Sequence, residues 1–165
     1  RLRYSDVGRA LYLDIKPQLK SWEIAEMALM RLHGGVHIRS HNTKVRTKKY
    51  EPCRSVDDCI CKHCDKRSGA QIDDNRHAML GCDGAAGSIA VLRKQRDSKI
   101  RAIAREEGIE YEQLNAREKE LLLLGVPPEQ RSENRDEREA VMSKILSESA
   151  QYLYRMRQER LAHSA

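Results

Sequence analysis

The sequence predicts a mainly helical domain in which a β-hairpin and a zinc knuckle are inserted between helices. The 165 residues are 39% hydrophobic but include no Phe and one Trp, so Leu, Ile, Val, Ala and Met must build the core, which favours helices. Apolar residues recur at helical spacing towards both ends, whereas residues 36–87 carry an alternating stretch and then five cysteines. We expect N-terminal helices over residues 1–35, a hairpin and cysteine-rich zinc lobe over 36–87, and C-terminal helices over 88–165 that share a core with the first segment.

The clearest N-terminal helix is predicted from Ser21, a favourable N-cap, to His33, where two glycines supply a C-terminal stop. Apolar residues recur along it at helical spacing and predict one face buried in the core. They are Trp22, Ala25, Leu29 and Leu32, with Ile24 and Ala28 beside them.

Residues 36–50 are predicted to form the β-hairpin, because apolar and polar residues alternate on both sides of a turn near His41 and Asn42. This stretch contains no Asp or Glu. Its basic residues are Arg39, Lys44, Arg46, Lys48 and Lys49, and its only aromatic residue is Tyr50. Alternation places Lys44, Arg46 and Lys48 on one face, which predicts a positive surface for phosphate contacts.

A cysteine cluster follows the hairpin. Its members are Cys53, Cys59, Cys61, Cys64 and Cys82. The two residues between Cys61 and Cys64 are the spacing with which a turn wraps a tetrahedral ion. We expect one structural zinc ion held by Cys61, Cys64 and Cys82 with either Cys53 or Cys59, and His77 is the best substitute ligand. An iron–sulfur cluster is the alternative, whereas disulfides are disfavoured by the odd number and tight spacing of the cysteines.

Two acidic residues, Asp73 and Asp74, lie close to His77. In a helix, Asp73 and His77 would share a face and could bind a divalent ion or support a metal-bound histidine. We expect a solvated turn instead, because Asp side chains mostly lie at the surface.

Three helices are predicted in the C-terminal half, over residues 88–107, over residues 110–124, and from Pro127 and Pro128 to about Ala162. Gly108 and Gly125 supply stops for the first two. The last helix carries one apolar stripe, which we expect to pack within this chain. The stripe consists of Met142, Ile145, Leu146, Ser149, Leu153 and Met156, and the inward residues of the helix over 88–107 are Ile89, Leu92, Ile100 and Ile103.

Residues 100–114 have the punctuation of a helix-turn-helix, with Gly108 at the turn. The helix that would enter a DNA groove contains four glutamates, which phosphates would repel. They are Glu110, Glu112, Glu118 and Glu120. The segment is therefore predicted to be a helical hairpin of the core.

Charge is distributed unevenly along the chain. Residues 1–64 carry 13 Lys and Arg and 7 Asp and Glu, whereas residues 108–165 carry 9 and 11. This asymmetry indicates a nucleic-acid partner, DNA or RNA, met by one end of the molecule. We expect a zinc-stabilised nucleic-acid-binding protein, such as a transcription-regulating factor of viral or phage type or a ribonucleoprotein component. The alternative is a structural or adaptor subunit of a large viral or organellar assembly, in which the C-terminal helix docks on a protein neighbour.

Catalytic signatures are few. His41 and Asn42, followed by His63 and the paired cysteines, resemble metal-dependent nucleases of the HNH kind, which would imply a histidine base on the hairpin. The helix that should carry metal ligands is not at the matching distance, so we predict a protein that is not an enzyme.

No apolar run approaches the roughly 18 residues of a membrane span, and no secretory signal is present, which predicts an intracellular, reducing compartment and no membrane partner.

Overall fold

The computed structural model describes residues 18–33, 60–64, 73–74, 76–84, 87–128 and 135–163. In chain order these contain α1 (Ser21–His33), a short π-helix (His77–Gly81), α2 (Ser88–Arg105), a 3-10 turn (Tyr111–Gln113), α3 (Ala116–Leu123) and α4 (Arg135–Ala162). Helices dominate the described ranges and no strand occurs in them, so the mainly helical fold is confirmed. The predicted β-hairpin of residues 36–50 lies outside the described residues.

The long helix α4 is the centre of the packing, because it contacts α2, α1 and α3. Its predicted apolar stripe, from Met142 to Met156, is buried at every position, so the prediction that this helix packs within the chain is confirmed. The predicted start at Pro127 is wrong. Residues 126–128 are irregular, and the helix is described from Arg135 onwards.

Helix α1 has the predicted bounds, but its predicted buried face is wrong at Trp22 and Ala25, which are both exposed. The side chains of Ala28, Leu29 and Leu32 lie outside the described residues. Trp22 is 41% exposed and lies against Tyr154 of α4, with ring centroids 5.7 Å apart. Met27 is fully buried, and the charged side chains of Glu23 and Glu26 are almost fully buried. The reason is tertiary, because both carboxylates accept hydrogen bonds from polar side chains of α4. Ser147 donates to Glu23, and Arg157 donates to Glu26.

Helix α2 places the predicted apolar residues inward. Ile89 and Ile100 are fully buried, and Leu92 and Ile103 pack against the core from its edge. The helix ends at Arg105, slightly before the predicted end.

The connection after α2 is a glycine-terminated cap. Gly108 has a φ of 68°, a left-handed conformation that suits glycine. The Ile109 N–H donates to the Ala104 carbonyl oxygen at 3.0 Å, and the Gly108 N–H to the Arg105 carbonyl oxygen at 3.0 Å. The stop predicted at Gly108 is therefore confirmed.

The helix predicted over residues 110–124 is shorter than expected. Asn115 begins α3 as an N-cap: its side-chain oxygen accepts from the Glu118 N–H at 2.9 Å, and the Glu118 carboxylate accepts from the Asn115 N–H at 3.1 Å. This reciprocal capping box replaces helical bonds that would otherwise run back to residue 110. The stop at Gly125, with a φ of 94°, is as predicted. Leu122 and Leu123 are fully buried, so this helix serves the core.

Candidate metal centre

Four side chains converge between the helices: Cys61, Cys64, His77 and Cys82, whose potential ligand atoms all lie within 4.8 Å of one another. The Cys61 and Cys82 sulfurs are 4.0 Å apart, those of Cys64 and Cys82 3.8 Å, and the Cys64 sulfur lies 3.2 Å from Nε2 of His77. Cys82 is fully buried and Cys61 is 5% exposed. This group can hold a metal ion.

These distances fit one tetrahedral ion. Metal–sulfur bonds of about 2.3 Å and metal–nitrogen bonds of about 2.0 Å separate two sulfurs by about 3.8 Å, and a sulfur from a nitrogen by about 3.6 Å. For these three pairs, binding an ion requires changes of only a few tenths of an ångström, and every other pair lies within about 1 Å of the separation that one ion needs. A disulfide, in contrast, needs sulfurs about 2.05 Å apart, so the three thiols are not paired with each other in this arrangement.

Cys61 and Cys64 lie on a tight turn, residues 61–64, which we call the knuckle. Gly84 packs directly on it. A Cβ atom built at Gly84 would come within 2.5 Å of the His63 Cβ and 2.7 Å of the His63 carbonyl oxygen. Only a residue without a side chain permits this approach. The glycine thus places the chain after Cys82 against the turn that carries the first two cysteines.

The π-helix places His77 and Cys82 on the same side of the backbone. The Cys82 N–H donates to the His77 carbonyl oxygen at 2.7 Å, which is a bond between residues five apart. In an α-helix, residues five apart point in directions about 140° different, whereas the wider π turn brings them close to alignment. The N–H of His77 donates to the Asp74 carboxylate at 2.8 Å, which caps the turn that precedes the π-helix.

Helices α2 and α4 hold this short π-helix by its carbonyl groups. The Tyr152 hydroxyl of α4 donates to the Ala78 carbonyl oxygen at 2.6 Å, and the Arg96 guanidinium of α2 donates to the Met79 carbonyl oxygen at 2.5 Å. Arg96 is itself 3% exposed and stacks over the Tyr152 ring, 4.4 Å from its centroid. Buried polar groups are thereby satisfied, and the two ligands are fixed relative to the core.

Further ion pairs tie the metal lobe, by which we mean the described residues between 60 and 84, to the other helices. Nε of Arg76 donates to the Glu120 carboxylate of α3 at 3.0 Å. Asp73 accepts two bonds from Arg160 of α4, at 3.1 and 3.2 Å. The lobe is therefore part of the domain core.

Arg160 also reaches the cysteines. Its Nη2 donates to the Cys82 sulfur at 3.2 Å and approaches the Cys61 sulfur at 3.8 Å. A hydrogen bond from the Cys61 thiol lowers the pKa of Cys82 well below its usual value, and His77 and Arg160 act in the same direction. The same bond raises the pKa of Cys61, and burial raises that of Cys64. A cation bound by these sulfurs would displace the protons that the thiols still carry.

The structure brings together three of the predicted cysteines with His77, which the sequence ranked only as a substitute ligand. The other candidate ligands, Cys53 and Cys59, lie outside the described residues. The predicted nucleic-acid contacts also lie outside the described residues, and they are Arg39, Lys44, Arg46, Lys48, Lys49 and Tyr50.

Comparison with protein-family models, curated proteins and solved structures finds no match. Among the described helices, none is both long enough and apolar enough to cross a membrane.

One prediction about a polar residue is wrong, and one polar residue near the site was not identified from the sequence. Asp73 is not solvated: it is 2% exposed because it pairs with Arg160. Arg160 itself was missed. Its sequence signal is its position, since it follows Leu153 and Met156 at the 3–4 residue spacing of the buried stripe of α4.

Proposed function

We propose that this protein binds nucleic acid through the basic segment of residues 39–50, and that one zinc ion held by Cys61, Cys64, His77 and Cys82 fixes the end of that segment to the helical core. The observation that carries the proposal is the four-donor cluster at single-ion distances. A metal ion there would create a rigid point after five basic residues that lie in a stretch, residues 36–50, without Asp or Glu. The class of protein is a transcription-regulating factor or a ribonucleoprotein component.

Zinc is favoured over iron by the donor set and its compactness. Three cysteines and one histidine are a common ligand set of structural zinc sites. An iron–sulfur cluster distributes its ligands over several iron atoms. Donor atoms within 4.8 Å of one another instead suit a single ion.

Phosphate contact is the proposed mode of binding. Five positive side chains within residues 39–49 can each displace condensed counterions from a nucleic acid. Tyr50 is the only aromatic residue nearby, so base stacking contributes little. Affinity should consequently depend strongly on salt and weakly on sequence.

The test compares salt dependence in two triple variants of equal charge change. In the first, Lys44, Arg46 and Lys48 are replaced by Ala. In the control, three basic residues that are exposed on the helices are replaced, namely Lys94, Arg105 and Arg155. Affinity for single-stranded DNA, duplex DNA and RNA is measured by fluorescence anisotropy over a range of salt.

We expect the slope of log affinity against log salt to fall by about 2 to 3 units in the first variant, since each neutralised phosphate contributes about 0.7 to 0.9. The control should fall by less than about 1 unit. Equal slopes in wild type and the first variant would refute the basic segment as the phosphate contact.

Metal removal tests the role of zinc in the same assay. Chelation, or Cys64→Ser, should weaken binding while the far-ultraviolet signal of α4 persists, because the long helix packs on α1 and α2 as well as on the lobe. If the affinity for nucleic acid is unchanged after the loss of zinc has been verified, the metal does not contribute to nucleic-acid binding. Cutting of DNA that requires magnesium would instead favour the nuclease resemblance.

The adaptor alternative draws no support from the long helix. Its apolar stripe is already buried in this chain and does not remain available for a neighbouring protein.

A further inference from the structure

Arg160 is a buried charged residue near the C-terminal end of α4. Its side chain is 1% exposed, yet it lies in the last turn of the helix. The guanidinium donates hydrogen bonds on two sides. It donates to the Asp73 carboxylate at 3.1 and 3.2 Å and to the Cys82 sulfur at 3.2 Å. A planar guanidinium with five N–H donors suits this two-sided contact, which a lysine ammonium could satisfy only in part.

The charge of the metal centre explains why a buried cation is placed there. Three thiolates and a neutral imidazole around a divalent ion carry a net charge of about −1. Burying that charge is unfavourable unless a positive group compensates it. Arg160 is the cation in contact with the sulfurs among the described residues, and Asp73 holds it in position. Because Asp73 also offsets the charge of Arg160, the guanidinium acts on the sulfurs through its direct N–H···S contacts.

We propose that Arg160 is a positioning residue of the metal centre: it stabilises the Cys82 and Cys61 thiolates by N–H···S hydrogen bonds and so couples metal binding to the docking of the end of α4. The proposal rests on the metal-binding half of the proposed function and is independent of the nucleic-acid half. It means that loading the lobe with a divalent ion further stabilises the packing of the C-terminal turn of α4.

The test uses cobalt as a spectroscopic substitute for zinc. Co²⁺ is titrated into the metal-free protein, its affinity is measured, and the sulfur-to-cobalt charge-transfer band is recorded. Arg160→Gln should lower affinity by about 10- to 100-fold, the usual effect of losing a partner of a metal ligand. The band of the bound fraction should move to lower energy, because a sulfur that loses an N–H donor holds more electron density.

Three further variants separate electrostatics from folding. Arg157→Gln, one turn earlier on α4, removes an ion pair with Glu26 and no sulfur contact, and should leave the band unchanged. Arg160→Lys keeps the charge and can donate to one of the two groups, so it should recover part of the affinity lost in Arg160→Gln. The double variant Asp73→Asn with Arg160→Gln avoids an unpaired buried carboxylate, so it remains informative if the single variant does not fold, and it should show the same band shift.

Hydrogen exchange at residues 157–162 measures how strongly metal binding is coupled to the docking of the end of α4. Exchange should slow on metal binding in wild type and much less in Arg160→Gln. The proposal is overturned if Arg160→Gln, or the double variant, matches Arg157→Gln within about twofold in affinity with an unshifted band. Failure of the wild type to bind cobalt or zinc at all would refute the metal centre itself, which is a different outcome.

Discussion

Gly84 offers a sharp test of how the metal centre is assembled. In Gly84→Ala, the new Cβ would lie 2.5 Å from the His63 Cβ and 2.7 Å from the His63 carbonyl oxygen. Favourable carbon–carbon contacts begin near 3.5 Å, so the knuckle and the chain at residue 84 must separate by about 1 Å. The obstructing atoms include backbone, which cannot rotate away.

That displacement is large for a metal site. Ligand distances must stay within about 0.2 Å of their ideal values, and the knuckle carries Cys61 and Cys64 while Cys82 lies two residues before Gly84. We expect Gly84→Ala to lower zinc affinity at least about tenfold and to destabilise the fold by about 1–3 kcal/mol. Competition with a chromophoric chelator measures the first, and urea unfolding of the zinc-loaded protein measures the second.

Gly81→Ala is the matched control. It lies in the same segment, and its Cβ would meet only Nδ1 of His77, at an ordinary 3.5 Å. Its zinc affinity should equal that of wild type within about twofold, because no shift of the backbone is needed. If the two alanine variants bind zinc equally well, the packing of Gly84 on the knuckle does not position the ligands.

Three other variants are expected to behave as follows. Cys64→Ser should abolish stoichiometric zinc binding and lower the local stability of the lobe by about 3 kcal/mol or more, which hydrogen exchange measures. If the variant keeps the exchange protection of the wild type, this thiol binds no metal. Tyr152→Phe leaves the Ala78 carbonyl without its donor and should cost about 1–3 kcal/mol in urea unfolding. Because burial raises the pKa of Tyr152 to about 12, the stability it contributes should be complete below pH ~10 and disappear as the pH rises towards 12; a flat wild-type profile there contradicts this. Asn115→Ala removes the cap bonded to Glu118 and should cost about 1 kcal/mol while nucleic-acid affinity stays unchanged, whereas a lost duplex preference would revive the helix-turn-helix interpretation.

Local patterns predicted the helices whose signals are local. The stripe of α4 and the stops at Gly108 and Gly125 depend on spacing and on backbone conformations that glycine adopts easily. The start of α3 was missed because a helix over residues 110–124 and the capping box at Asn115 compete for the same backbone groups. Propensity alone does not decide that competition.

The buried face of α1 could not be read from apolar spacing. Trp22 fits the apolar pattern but lies at the surface, while Glu23 and Glu26 face α4. Burial of a carboxylate depends on a partner that removes its desolvation cost. Those partners, Ser147 and Arg157, are more than a hundred residues away along the chain.

The metal centre was predictable only in part, because some of its residues have local sequence signals and others depend on contacts that are distant along the chain. The spacing of Cys61 and Cys64 is a local signal, and Cys82 was chosen as the third sulfur. His77 ranked lower because its alignment with Cys82 depends on a π turn that short-range pattern does not specify. Arg160 contacts a sulfur 78 residues away, and only its place on the apolar stripe signals that it points inward.

X-ray absorption at the zinc edge, on purified protein with its metal content determined in parallel, tests the central claim most directly. We predict about one zinc per chain with three sulfur neighbours near 2.3 Å and one nitrogen near 2.0 Å. In His77→Ala, the nitrogen shell should be lost or replaced by oxygen. Four sulfur neighbours would bring in Cys53 or Cys59 in place of His77, and iron with visible absorption, or no bound metal, would contradict the zinc centre altogether.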